Sequence, residues 1–165
     1  MKKHIEYLKK LNACTEAVIW AKQFNTTQEA WDNCERGDWM LWLLGKQSGK
    51  PGTKSRKKLV LTACKCARLS LKCVPESEKR PIEAIQTAER YAKGVKGVSL
   101  QDVRKAACAA DDAAVYVAAV YAAAYTAYAA AYAAAYAAYA ASDRAKTLKK
   151  CADIVHKDYP KIRMT

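Results

Sequence analysis

No charged residue occurs between Asp112 and Asp143, and the interval is almost pure alanine and tyrosine. Tyr121, Tyr125, Tyr128, Tyr132, Tyr136 and Tyr139 advance in steps of four and three, which at about 100° per residue keeps them within roughly 80° of one another. Alanine has the highest helix propensity, so the spacing predicts a helix with one aromatic stripe and a smooth back. Small side chains let neighbouring helices approach closely, while each buried tyrosine hydroxyl needs a hydrogen-bond partner. The stripe is therefore a core seam or a binding wall, and helical periodicity favours the seam. The interval is long enough to span a bilayer, but alanine adds little insertion energy and tyrosine prefers the interface. A membrane span is not expected.

The chain has 165 residues, a length that predicts one helical domain over 1–165. A net charge of +13 opposes compaction and implies an anionic partner. Seven cysteines, with no apolar leader segment after the basic start, read as reduced thiols of a cytoplasmic protein.

Every other segment reads as helix or turn, and the fold class is an all-α bundle. Ile5, Leu8, Leu11, Thr15, Val18 and Ile19 recur at helical spacing, predicting one helix over 3–23. Thr26 and Glu29 form a capping box that opens a second helix ending near Gly37. Asp38 can cap a third, with Gly45 as its left-handed stop. Residues 46–56 are rich in Gly, Ser, Pro and Lys and read as an exposed basic loop. A helix over 55–73 follows. Pro81 starts another that runs to about Lys93, Ser99 and Asp102 form a second capping box, and the last helix ends before Pro160. The helix opened by Ser99 runs into the tyrosine stripe; at about 1.5 Å per residue it would extend roughly 63 Å, so a bend or a break is expected.

From Lys46 to Lys72 there is no acidic residue. On the helix over 55–73, Lys58, Lys65, Arg68 and Lys72 gather within roughly 80°, opposite an apolar side carrying Leu59, Val60, Ala63, Cys66, Ala67, Ser70 and Leu71. Lys46, Lys50, Lys54, Arg56 and Lys57 add to the same patch, which is either an anion site or an ordinary solvated face.

Catalytic constellations are missing from the sequence pattern. His4 and His156 stand at opposite ends without an adjacent nucleophile. Asp111 and Asp112 are helix neighbours and point apart. The stretch Gly49 to Ser55 resembles a phosphate loop only until Thr53, where that motif needs glycine, and no strand precedes it. Cys64 and Cys66 lie about 200° apart on a helix and cannot share a metal, so packed thiols are expected. Trp31, Trp39 and Trp42 read as core or helix-junction residues, with ring stacking on a ligand as the alternative.

Four segments carry a resemblance. The run from Ala30 to Gly45, AWDNCERGDWMLWLLG, resembles the signature of immunity proteins found in bacterial toxin loci and phage genomes. LVLTACKCA from Leu59 to Ala67 is similar to that family's next helix, and CADIV from Cys151 to Val155 to its closing segment. The Ala/Tyr repeat is similar to its variable alanine-rich helix. The resemblance implies a neutralising protein, names no target and brings no catalytic residues.

The expectation is a non-catalytic immunity or phage counter-defence protein that sequesters an anionic effector, best a nucleotide-type signal. Lys54, Lys58, Lys65, Arg68 and Lys72 would hold phosphate, while Tyr121, Tyr125, Tyr128, Tyr132, Tyr136, Trp39 and Trp42 would stack on a base. No metal and no cofactor is expected. The alternatives are direct inhibition of an acidic protein partner and non-specific nucleic-acid binding; a second copy of the chain stays open as a partner.

Overall fold

The computed structural model describes residues 2–69, 71, 78–111 and 144–162. Among them the chain is all α, with eight helices and no strand: α1 (Lys3–Lys10), α2 (Thr15–Ala21), α3 (Thr27–Asp32), α4 (Gly37–Gln47), α5 (Lys54–Arg68), α6 (Arg80–Lys93), α7 (Leu100–Asp111) and α8 (Arg144–Asp158). The tyrosine stripe, Lys72, Cys73 and the expected continuation of α7 beyond Asp111 lie outside the described residues. No helix among the described residues is long and apolar enough to cross a membrane.

Helix α5 organises the bundle. Helix α6 packs between α5 and α7, while α8 packs against both α4 and α5. Val60, Cys64 and Ala67 of α5 join Ala84, Ile85, Ala88, Val103 and Ala107 in one core cluster. Leu59 and Cys66 face a second, made with Leu41 and Leu44 of α4 and Cys151, Ala152 and Val155 of α8. Cys64 and Cys66 thus serve opposite cores, as their angular separation requires. The single apolar side expected for α5 is corrected to two, and the helix keeps only a narrow solvent strip with Lys58 and Lys65 exposed. Alanines at the α5–α6 seam remove side-chain bulk and allow a close approach. Gly37 does the same between α4 and α8: a Cβ there would meet Cys151 Cβ at 2.4 Å and Ala152 N at 2.7 Å.

Several helix ends follow from local chemistry. Thr26 Oγ1 accepts the Glu29 amide at 3.0 Å, and Glu29 Oε2 accepts the Asn25 amide at 2.8 Å, one residue further back than expected. The Ser99–Asp102 box closes at 3.2 Å and 2.7 Å. Pro81 sits in the first turn of α6, and Gly94, at φ 75°, closes that helix in the left-handed conformation.

Several boundaries differ from the sequence reading. The helix opened by Thr26 ends at Asp32 and not near Gly37, and the helix expected over 55–73 ends at Arg68. The loop expected over 46–56 narrows to 48–53, because α4 and α5 take up its two ends. The helix expected over 3–23 is broken after Lys10, because Asn12 turns to φ 59°. The Ala13 amide then reaches the Leu8 carbonyl at 3.0 Å and the Asn12 amide the Lys9 carbonyl at 2.9 Å, a helix-ending pair that asparagine tolerates better than most side chains. Asp38 does not cap α4; Arg36 occupies that position and Asp38 lies buried in the first turn. Gly45 does not stop α4, which runs on to Gln47, and the left-handed turn falls at Gly49 with φ 71°. The Gln47 side-chain amide donates to the Tyr7 hydroxyl at 3.3 Å, tying the extra turn to α1.

Candidate binding cavity

A cavity of about 250 Å³ lies between the α1–α2 hairpin and helices α3 and α4. Its wall holds all the chain's tryptophans: Trp20 from α2, Trp31 from α3, and Trp39 and Trp42 from α4. Gly37, Leu41 and Leu44 fall on one side of α4 while Asp38, Trp39, Trp42 and Leu43 fall on the other, so the helix closes a core with one face and lines the cavity with the other. The Trp20 ring lies 5.8 Å from Trp39 at 59° and 4.8 Å from Phe24 at 54°. These tilted arrangements suit the electron-rich faces and positive edges of aromatic rings. Trp20, Trp39 and Trp42 are half-buried and Cys14 is exposed, so the cavity opens to solvent at their edge.

Trp31 Nε1 donates to the Tyr159 carbonyl at 2.9 Å, and His156 Nε2 donates to the Trp31 carbonyl at 2.7 Å. Arg36 grips Asp38 with two bonds, Nε to Oδ1 at 2.8 Å and Nη2 to Oδ2 at 2.6 Å, and reaches Glu16 at 3.2 Å. The Asp38 bonds push the Arg36 pKa further up. The guanidinium also rests 4.2 Å over the Trp39 ring, and Lys46 Nζ lies 5.4 Å over Trp42. Buried His4 donates from Nε2 to the Ala21 carbonyl at 3.2 Å, joining α1 to α2. Burial, together with the charge of Asp38, pushes the Cys34 thiol up to about 11, which disfavours the thiolate that a nucleophile needs.

The basic residues of α5 stand elsewhere. None lines the cavity. Lys65 Nζ contacts both Asp158 oxygens at 2.7 Å, and Thr62 Oγ1 donates to the same carboxylate at 2.7 Å. Burial alone would raise the Asp158 pKa, but the bonds from Lys65 and Thr62 and the charges of Lys65 and Lys58 outweigh it and leave it below its ordinary value. Lys58 Nζ sits 4.2 Å over the Tyr159 ring. Arg68 makes a two-bond pair with Glu89 of α6, each at 2.9 Å. Lys54 is exposed at the start of α5. The stretch that lacks acids in sequence therefore receives them from α6 and α8. Phosphate would have to compete with carboxylates already held by Lys65 and Arg68.

Of the residues expected to bind, only Trp39 and Trp42 come together in one described site. Lys72 and Tyr121, Tyr125, Tyr128, Tyr132 and Tyr136 lie outside the described residues. Sequence reasoning missed Trp20 as a cavity wall, and it weighed Trp31 as a stacking ring without placing it among the binding residues. Helical period shows which residues share a face, but it carries no signal that pairs Trp20 with Trp39. No family model, curated protein or solved structure matches the chain.

Proposed function

We propose that the protein acts by binding, sequestering a small anionic effector whose apolar or planar part enters the tryptophan-walled cavity. The observation that carries this reading is the cavity itself, open at one edge and walled by four indole rings. Concave, largely apolar sites with a few polar groups are where small ligands bind most often. The excess of positive charge, +13 over the chain, raises the local concentration of anions and speeds their encounter. In the immunity or phage counter-defence setting implied by the resemblance, removing such an effector from solution neutralises it without catalysis. A nucleotide-type signal is one member of this ligand class.

Small molecules released by heating the purified protein and identified by mass spectrometry supply the candidates, and titration of tryptophan emission measures each. Binding should weaken by about tenfold or more in folded Trp42→Leu and Trp39→Leu variants. A ligand that binds both folded variants as tightly as the parent places recognition outside the cavity and sinks the proposal.

A further inference from the structure

The polar atoms of the cavity wall are unevenly committed. Asp38 spends both carboxylate oxygens on Arg36, at 2.8 and 2.6 Å. His4 Nε2 and Trp31 Nε1 are held by the carbonyls of Ala21 and Tyr159. The Cys34 thiol points to the Arg36 carbonyl at 3.7 Å. By contrast, the indole N–H groups of Trp20, Trp39 and Trp42, which can only donate, and the Thr27 hydroxyl, which can also accept, make no hydrogen bond among the described residues. The wall is therefore largely apolar, and its one carboxylate already faces a cation.

A ligand entering such a site is selected by what it must leave unpaired. A heterocyclic base carries several donors and acceptors on its edge, and burying them unpaired against a largely apolar wall is costly. An apolar ring loses nothing on entry, and a carboxylate head needs only donors. Arg36 over Trp39 and Lys46 over Trp42 place two cations on the rings of the same wall. Resting on the cavity reading above, we infer that the ligand is an aromatic carboxylate, an anion with an apolar ring and an acceptor-only head, and not a nucleotide. A cavity of about 250 Å³ suits one compact ring system better than a base with sugar and phosphates.

Calorimetric titration of the full chain with indole-3-acetate, indole and adenosine monophosphate tests this. Indole-3-acetate should bind about tenfold or more tightly than either other compound. The binding should be lost in Trp42→Leu, which removes a wall, and in Ala17→Phe, which fills the space; circular dichroism checks that each variant is folded. Tighter binding of adenosine monophosphate, lost in both variants, overturns the aromatic-carboxylate inference and leaves the cavity reading standing. Binding of any of the three with unchanged affinity in both folded variants overturns the cavity reading and the inference together. Silence from all three compounds at millimolar concentration overturns the aromatic-carboxylate inference and leaves the cavity reading to the ligands released from the purified protein.

Discussion

On the α8 side of α4, Gly37 lets backbone meet backbone, and Leu41 and Leu44 close over Cys151 and Val155. On the α2 side, Trp39 and Trp42 face Trp20 across an open cavity. The two flanks belong to one helix and differ in side-chain size. Small residues on the first let helices approach until no space is left. Large rings on the second hold the helices apart; they lean on the edge of the same core and are braced by Arg36, Lys46 and one another. A closed core is tuned for stability, whereas a braced opening leaves room that a ligand can fill.

The contrast breaks or sharpens on measured stabilities. Leu59→Ala, at a fully buried position in the second core, should have the largest effect, a loss of about 2–5 kcal/mol in urea unfolding. Gly37→Ala should cost about 1–3 kcal/mol or more, because the added Cβ meets backbone atoms of Cys151 and Ala152 that cannot rotate away. A neutral Gly37→Ala variant would show that α4 and α8 have room to separate. Ala88→Leu, at a position with no exposure in the first core, should destabilise by about 1–3 kcal/mol. The same change at Ala17, which lines the cavity, should be neutral or stabilising by about 0.5–2 kcal/mol. Equal costs at the two alanines would remove the distinction between the closed and open regions.

A smaller effect concerns acid sensitivity. The Asp158 carboxyl titrates below its ordinary value in the folded chain. Its contribution to stability is therefore present above the unfolded carboxylate range, about pH 4, and is lost as the pH falls through the folded value. Asp158→Asn should remove this part of the acid dependence, at a cost below about 1 kcal/mol at neutral pH, because solvent screens the half-exposed Lys65. An unaltered stability profile between about pH 2 and pH 5 would show that the pair contributes nothing.

The smallest perturbation is chemical labelling. Among the described cysteines, Cys14 and Cys108 are exposed and Cys34, Cys64, Cys66 and Cys151 are buried. Burial pushes Cys64 to about 12 and Cys34 to about 11. Iodoacetamide should therefore modify Cys14 and Cys108 first, as read by peptide mass spectrometry. Labelling of Cys34 as fast as Cys14 in the folded chain would mean that the tryptophan-walled region opens as readily as a surface loop.

Much of the all-α fold was legible in the sequence. Both capping boxes, Pro81 and Gly94 act within one turn of chain, so the residue types that perform these tasks announce them. The opposite placement of Cys64 and Cys66 follows equally from helix geometry. Asn12 and Gly45 were less legible, since each can serve a helix interior or a helix end. The hairpin bonds around Ala13 and the contact of Gln47 with Tyr7 decide between them. For the candidate site, Trp39 and Trp42 could be picked out by composition, but not their partners.

The sequence by itself determined where most helices begin, which residues share a face, and that the chain carries a large positive charge. Only the tertiary structure decided that Trp20 would meet Trp39, that Asp158 would take Lys65, and that Glu89 would take Arg68. Local patterns repeat within 3.6 residues and are enforced by backbone bonding. These pairings join residues 19 to 93 positions apart, where nothing but the packing of whole helices brings one side chain to another.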